Sequence, residues 1–129
     1  MSSNNTIHPT AIVSSRAKIG KNVRIGQFTT IYDNVEICDN TTIEGYCEIG
    51  VENHLSGGIN LYIGKKSYIR SHSIFYEGSF FKEKLITGHR VTAREKIIAG
   101  KNLHIGTLTD IQGHCSIGDY VRMHSNVHI

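Results

Sequence analysis

The sequence predicts an all-β chain wound as a parallel β-helix of about seven triangular coils, and three observations carry that prediction. The first is an aliphatic or related residue every six positions. One series runs Ile7, Val13, Ile19, Ile25, Ile31, Ile37, Ile43, Ile49, Leu55. A second runs Ile63, Ile69, Phe75, Phe81, Thr87, Ala93, Ala99, Ile105, Ile111, Ile117, Met123, Ile129. The second observation is a further inward candidate four residues on, usually small: Ala11, Ala17, Val23, Thr29, Val35, Thr41 and Cys47, then Ser67, Ser73, Ser79, Val91, Thr109, Cys115, Val121 and Val127 among others. The third is the turn chemistry. Gly follows the aliphatic residue at Ile19-Gly20, Ile25-Gly26, Ile49-Gly50, Ile63-Gly64, Ile105-Gly106 and Ile117-Gly118, with Asn22, Asn34, Asn40 and Asn102 further along. Both residue types tolerate the positive φ of a sharp corner.

A period of six fits neither a lone helix nor an ordinary strand. Three hexapeptides make one coil of 18 residues, each side a short strand and each corner a turn, with every aliphatic residue lying on one from the next coil. A β-sandwich also alternates polar and apolar residues, but it gives no reason for a sixfold phase held over this length.

The elements follow in order. Residues 1–6 are polar and read as a disordered or capping tail, and 7–129 as the β-helix. The register is unbroken to Leu55. The spacing from Leu55 to Ile63 is eight, which predicts a two-residue insertion beside Gly57 and Gly58. The stretch 75–99 is the least regular, with Phe, Thr and Ala at large inward positions, and Thr87 reads as a mild polar defect. Phe75 and Phe81 read as core; Tyr76 and Phe80 project. The pattern is strong again from Leu103 and stops at Ile129 on an inward position, so the helix reads as C-terminally incomplete, with an open sheet edge.

Composition narrows the function. At 129 residues and net charge +3, with Lys and Arg scattered, the chain gives no footprint for nucleic acid. It has no long apolar run and its start has no signal-peptide core, so a cytoplasmic chain without a membrane partner is expected. Cys38, Cys47 and Cys115 lack CxxC spacing and suit neither a disulfide framework nor a zinc site; Cys47 and Cys115 fall on the small inward position.

The run Ile19-Gly-Lys-Asn-Val-Arg-Ile25-Gly resembles the hexapeptide-repeat acyltransferases. That resemblance implies a left-handed coil, a homotrimer, and active sites in clefts between neighbouring helices. The segments Ile86 to Lys96, Asp110 to Val121 and Met123 to Ile129 are similar to bacterial acyltransferases acting on amino sugars, often nucleotide-linked, for surface polysaccharides. They imply N-acetyl transfer with acetyl-CoA as cosubstrate and no metal.

Such a transfer needs a general base and oxyanion donors. Two histidines are candidates for the base. His114 lies in Gln-Gly-His-Cys-Ser-Ile-Gly. Related transferases carry a catalytic His in a His-Asp-Cys or His-Glu-Cys context; aligned on Cys115, that His falls on Gly113, one place before His114. His89, in Thr-Gly-His-Arg, sits two residues after the repeat position Thr87, as those family histidines do relative to their own repeat. At a period of 18, His89, Thr107 and Ser125 line up, as do His72, Arg90, Leu108 and Asn126. Arg90 is a candidate for a substrate phosphate or carboxylate. Asp110, with Asp119, is a candidate orienting carboxylate, and Asp110, Asn126 and His124 are candidate substrate contacts. A γ-type carbonic anhydrase needs two zinc histidines five apart, a spacing no pair here has, and a non-catalytic β-helix fragment is the other alternative.

Overall fold

In a computed structural model that describes residues 4–129, the chain forms 19 short strands in three parallel sheets. Sheet A stacks β1 (Thr6–Ile7), β4 (Arg24–Ile25), β7 (Thr42–Ile43), β10 (Tyr68–Ile69), β13 (Ile86–Thr87), β16 (His104–Ile105) and β19 (Arg122–Met123). Sheet B stacks β2 (Ile12–Val13), β5 (Thr30–Ile31), β8 (Glu48–Val51), β11 (Ile74–Tyr76), β14 (Thr92–Ala93) and β17 (Asp110–Ile111). Sheet C stacks β3 (Lys18–Ile19), β6 (Val35–Ile37), β9 (Leu61–Ile63), β12 (Phe80–Phe81), β15 (Ile97–Ala99) and β18 (Cys115–Ile117). Each strand pairs with the third one along, so every coil visits A, B and C once. This is the left-handed parallel β-helix of about seven turns. Of the tail, residues 1–3 lie outside the described residues. Asn5 ties down the start: its amide donates to the Gly20 carbonyl at 3.0 Å and its Oδ1 accepts from the Val23 N–H at 2.8 Å.

The inward positions of the central coils form one apolar column, from Val23 and Ile25 to Ile105 and Ile111. The small hydroxyls at its corners are self-satisfied. Ser67 Oγ donates to the Gly64 carbonyl at 2.7 Å and accepts from the Leu85 N–H at 3.1 Å; at the next two corners Ser73 and Ser79 donate to the Arg70 and Arg94 carbonyls and accept from the Val91 and Ile97 N–H groups. Thr87 is no defect, since Oγ1 donates to the Gly88 carbonyl at 3.0 Å and accepts from the Arg70 N–H at 3.2 Å. A buried hydroxyl with both bonds made costs little.

The irregularity lies elsewhere than expected. Stretch 75–99 keeps its register, with Phe75 paired to Ala93 and Phe81 to Ala99. The two phenyl rings meet edge to face at 5.4 Å and fill the space that the alanines leave. The break is at 49–63. Ile37 pairs with Ile63, 26 residues later, so the insertion is eight residues rather than two. Leu55 is 44% exposed and sits in a 3-10 turn, His54–Ser56, outside the core; Ile63 takes the inward place on Ile37, and Leu61 the one on Val35. Counting sixes through the loop hid the detour, because eight residues displace the phase by only two.

The turn chemistry also differs in detail. The Gly after the aliphatic residue is needed mainly for close approach: a Cβ on Gly26 would lie 2.6 Å from the Gly45 nitrogen in the next coil. The left-handed residue comes two places later, at Asn22, Asn40 and Asn102, and also at Lys66, Lys84 and Tyr120. Asn34 does not adopt positive φ; it uses its amide on Glu77.

Candidate functional site

The corner between sheets B and C carries the densest polar chemistry. Residues 94–96 and 112–114 turn there in successive coils, and the eight-residue insertion folds over the same corner. Gly113 has φ +105°, and a Cβ there would lie 2.3 Å from the Glu95 carbonyl oxygen. Only glycine lets the turn close onto Glu95. His114 then takes φ +51°, donates its backbone N–H to that carbonyl at 3.1 Å, and brings Nε2 to 3.4 Å from Glu95 Oε2. Its ring is about half exposed while the Glu95 carboxylate is buried. The other oxygen, Oε1, accepts from Asn53 Nδ2 at 2.6 Å and Arg94 Nε at 3.3 Å. Arg94 lies over the Tyr76 ring at 4.7 Å.

Glu77 stands one coil below and is also buried, 4% exposed against 2% for Glu95. It accepts from Ser56 Oγ at 2.5 Å, Asn34 Nδ2 at 2.9 Å and the Asn53 N–H at 3.3 Å. Burial pushes both carboxyls up, but the hydrogen bonds outweigh it, and both sit below the usual carboxylate range. For Glu95 its own backbone N–H and Arg94 do most of the lowering, with a smaller contribution from His114. Two ionised carboxylates are thus held beneath an accessible imidazole. A cavity of about 460 Å³ opens beside Glu77, lined by Asn34, Glu52, Asn53, His54, Gly58 and Glu77.

The structure separates the two histidine candidates. His89 is on the corner between sheets A and B, exposed, with Nδ1 2.9 Å from Ser71 Oγ, which in turn lies 3.1 Å from His72 Nδ1. Thr107 stacks beneath it and accepts its backbone N–H at 3.1 Å. Arg90 and Asn126 share that corner at positive φ, and His124 is at its entry; all three are exposed. Asp110 is on β17, with Oδ2 accepting from Gln112 Nε2 at 2.8 Å and Oδ1 buried without a described partner. Asp119 is at the third corner, where Oδ1 caps the Lys101 N–H at 2.9 Å. The carboxylate beside His114 is therefore Glu95, neither Asp110 nor Asp119. A step of 18 back from Gly113 lands on Glu95, so the repeat held that signal. Asn53 and Ser56 gave none, because they lie in the insertion. A larger cavity, about 700 Å³ on sheet C, contains none of the predicted site residues. Among the described residues no three His, Cys, Asp or Glu side chains converge as metal ligands.

A family model described as bacterial transferase hexapeptide (six repeats) matches residues 16–50, on the coils where the sixfold phase is cleanest. The chain is a hexapeptide-repeat protein. This hexapeptide-repeat chain is similar to an acyl-[acyl-carrier-protein]–UDP-N-acetylglucosamine O-acyltransferase of Chlamydia caviae, at 28% identity over 120 residues, 93% of this chain and 42% of the relative. A protein of the same name from Saccharophagus degradans is 33% identical over 129 residues, 95% of this chain and 45% of the relative. The chain spans less than half the length of these curated relatives. Among solved structures, LpxA from Acinetobacter baumannii matches with a TM-score of 0.60 at 19% identity, covering 95% of this chain and 66% of that one. UDP-N-acetylglucosamine acyltransferase from Campylobacter jejuni matches with 0.56 at 17% identity, with the same coverage. At those identities the structures bear on fold alone.

The relatives correct the expected cosubstrate. Their name gives acyl-[acyl-carrier-protein] as donor, which contradicts acetyl-CoA, and it gives an O-acyl rather than an N-acetyl product. The motifs that carried the resemblance build coils and corners, and those do not depend on which carrier brings the acyl group. No helix among the described residues is long and apolar enough to cross a membrane.

Proposed function

We propose that this chain belongs to an acyltransferase that moves an acyl group from an acyl-carrier-protein thioester to a hydroxyl of a nucleotide-linked amino sugar. The single observation that carries this reading is the accessible His114 imidazole against the buried Glu95 carboxylate, and the relatives' names supply the substrate class. With Nε2 turned to Glu95, Nδ1 is left to take the proton of the attacking hydroxyl. The hydroxyl oxygen adds to the thioester carbonyl, and the thiolate of the carrier leaves. Glu95 orients the ring and stabilises the imidazolium formed. Among the described residues the His89 ring bonds a hydroxyl, Ser71, and no carboxylate, and a hydroxyl gives an imidazolium far less support than a carboxylate. A homotrimer is part of the same reading. The outward ladder of Tyr62, Phe80 and Ile98 on sheet C, with Ile98 61% exposed, supports an apolar contact face.

The test is acyl transfer from acyl carrier protein to UDP-N-acetylglucosamine. His114→Ala is expected to cut turnover about a hundredfold or more, the usual scale for a general base. His89→Ala is expected to stay within a few-fold of the parent. The reverse order overturns the assignment of the base. With a UDP-linked sugar bearing a free amine as a second acceptor, faster transfer to give a hydroxylamine-resistant amide replaces O-acylation by N-acylation. Light scattering that gives a folded monomer removes the trimer.

A further inference from the structure

We propose that a trough on sheet A, well away from the His114 corner, is a binding site for a phosphoanion. Its origin is in the repeat. Gly88 and Gly106 occupy the place just after strands β13 and β16, and a Cβ on Gly106 would lie 2.5 Å from the His124 carbonyl carbon. Two successive coils therefore raise no side chain there. Along one side of the gap, Ile86, His104 and Arg122 stand in register on β13, β16 and β19, so His104 and Arg122 are strand neighbours about 4.8 Å apart along the stack. Arg70 and His124 occupy the same after-strand place in the coils on either side of the glycines. The resulting cavity is about 300 Å³.

Its lining holds two arginines and two histidines and no Asp or Glu, over an apolar floor that includes Ile105 and Met123. No described carboxylate lies within ion-pair distance of Arg122. Arg70 faces Glu44 at 3.9 Å, too far for a hydrogen bond, and Glu44 already accepts from the Tyr68 hydroxyl at 2.8 Å and the Ser71 N–H at 3.1 Å. Arg122 is thus free to donate; the Arg70 guanidinium, paired with Glu44 and lying over the Tyr68 ring at 5.0 Å, has donors left that no described acceptor takes by hydrogen bond. Planar forks at the edges of a side-chain-free trough match the oxygens of a phosphate or diphosphate, and imidazole N–H groups add further donors. Two sources share this chemistry: the diphosphate of a nucleotide, and the phosphate of a phosphopantetheine arm. The choice between these sources rests on the acyl-transfer reading, whereas pyrophosphate binding, measured without turnover, tests the trough itself.

The experiment is calorimetric titration at fixed ionic strength with inorganic pyrophosphate, UDP and 4′-phosphopantetheine. Arg122→Gln and Arg70→Gln are expected to weaken pyrophosphate binding about tenfold or more, the scale of a lost charged hydrogen bond. Lys101→Gln, at another corner, is expected to leave it unchanged. UDP binding more tightly than pyrophosphate assigns the trough to a nucleotide, and phosphopantetheine doing so assigns it to the donor arm. Absence of saturable pyrophosphate binding, or equal weakening in Lys101→Gln, overturns the proposal. Arg70 and Arg122 are exposed and Lys101 is half-buried, and circular dichroism of each variant checks the fold.

Discussion

Asn53 donates its side-chain amide to Glu95 Oε1 at 2.6 Å across 42 residues of chain. This bond joins the one interruption of the coil to the carboxylate under His114. The same residue gives its backbone N–H to Glu77 and caps the 3-10 turn by accepting from the Leu55 N–H at 3.0 Å. The insertion is therefore a built part of this corner rather than a slack excursion.

Deleting residues 52–59 restores an 18-residue coil at this point. The three sheets are expected to survive, since none of their pairings needs the loop, and circular dichroism checks this. Glu77 and Glu95 then lose Ser56 and Asn53, and acyl transfer is expected to fall at least tenfold. Asn53→Ala is the gentler form and is expected to cost about 1–3 kcal/mol of stability in denaturant titrations. A deletion that transfers as fast as the parent separates the loop from the chemistry.

Acid is expected to loosen this corner first. Glu77 and Glu95 both lie below the ordinary value of 4.5 in the folded chain. Their stabilisation is complete above the unfolded value and is lost as pH falls through the lower folded values. The melting temperature is thus expected to drop as pH falls below about 4.5, and Glu77→Gln with Glu95→Gln is expected to flatten that slope. An acid slope unchanged in the double variant assigns the loss to other carboxylates.

The Phe81–Ala99 pair makes a volume-exchange test. Phe81→Ala leaves a phenyl-sized gap in a fully buried column and is expected to cost about 3–5 kcal/mol by chemical denaturation. Phe81→Leu with Ala99→Val returns part of the volume across the paired position and is expected to cost less than Phe81→Leu alone. Strict additivity shows that the two sites do not share space.

Most of the fold was legible because a stacked coil is nearly one-dimensional: each inward residue meets its own equivalents, so period and register carry the same information. Ile25, Ile43 and Ile69 could be placed on one sheet by counting. Leu55 could not, because eight inserted residues shift the sixfold phase by only two and leave an aliphatic residue in apparent register. Half of the candidate site was legible too. His114 was a candidate by its motif, but its carboxylate was sought nearby in sequence, at Asp110 and Asp119, instead of one coil back.

The sequence by itself determined the coil, its core column and the turns that close it, since these depend on the type of residue at each repeated position. Only the tertiary structure decided at which corner a buried carboxylate meets an accessible imidazole. Glu95 is buried because Gly113 lets the next turn close onto it. It stays ionised because its own backbone, Arg94 and His114 outweigh its burial, and Asn53 reaches it from a loop whose path no period encodes.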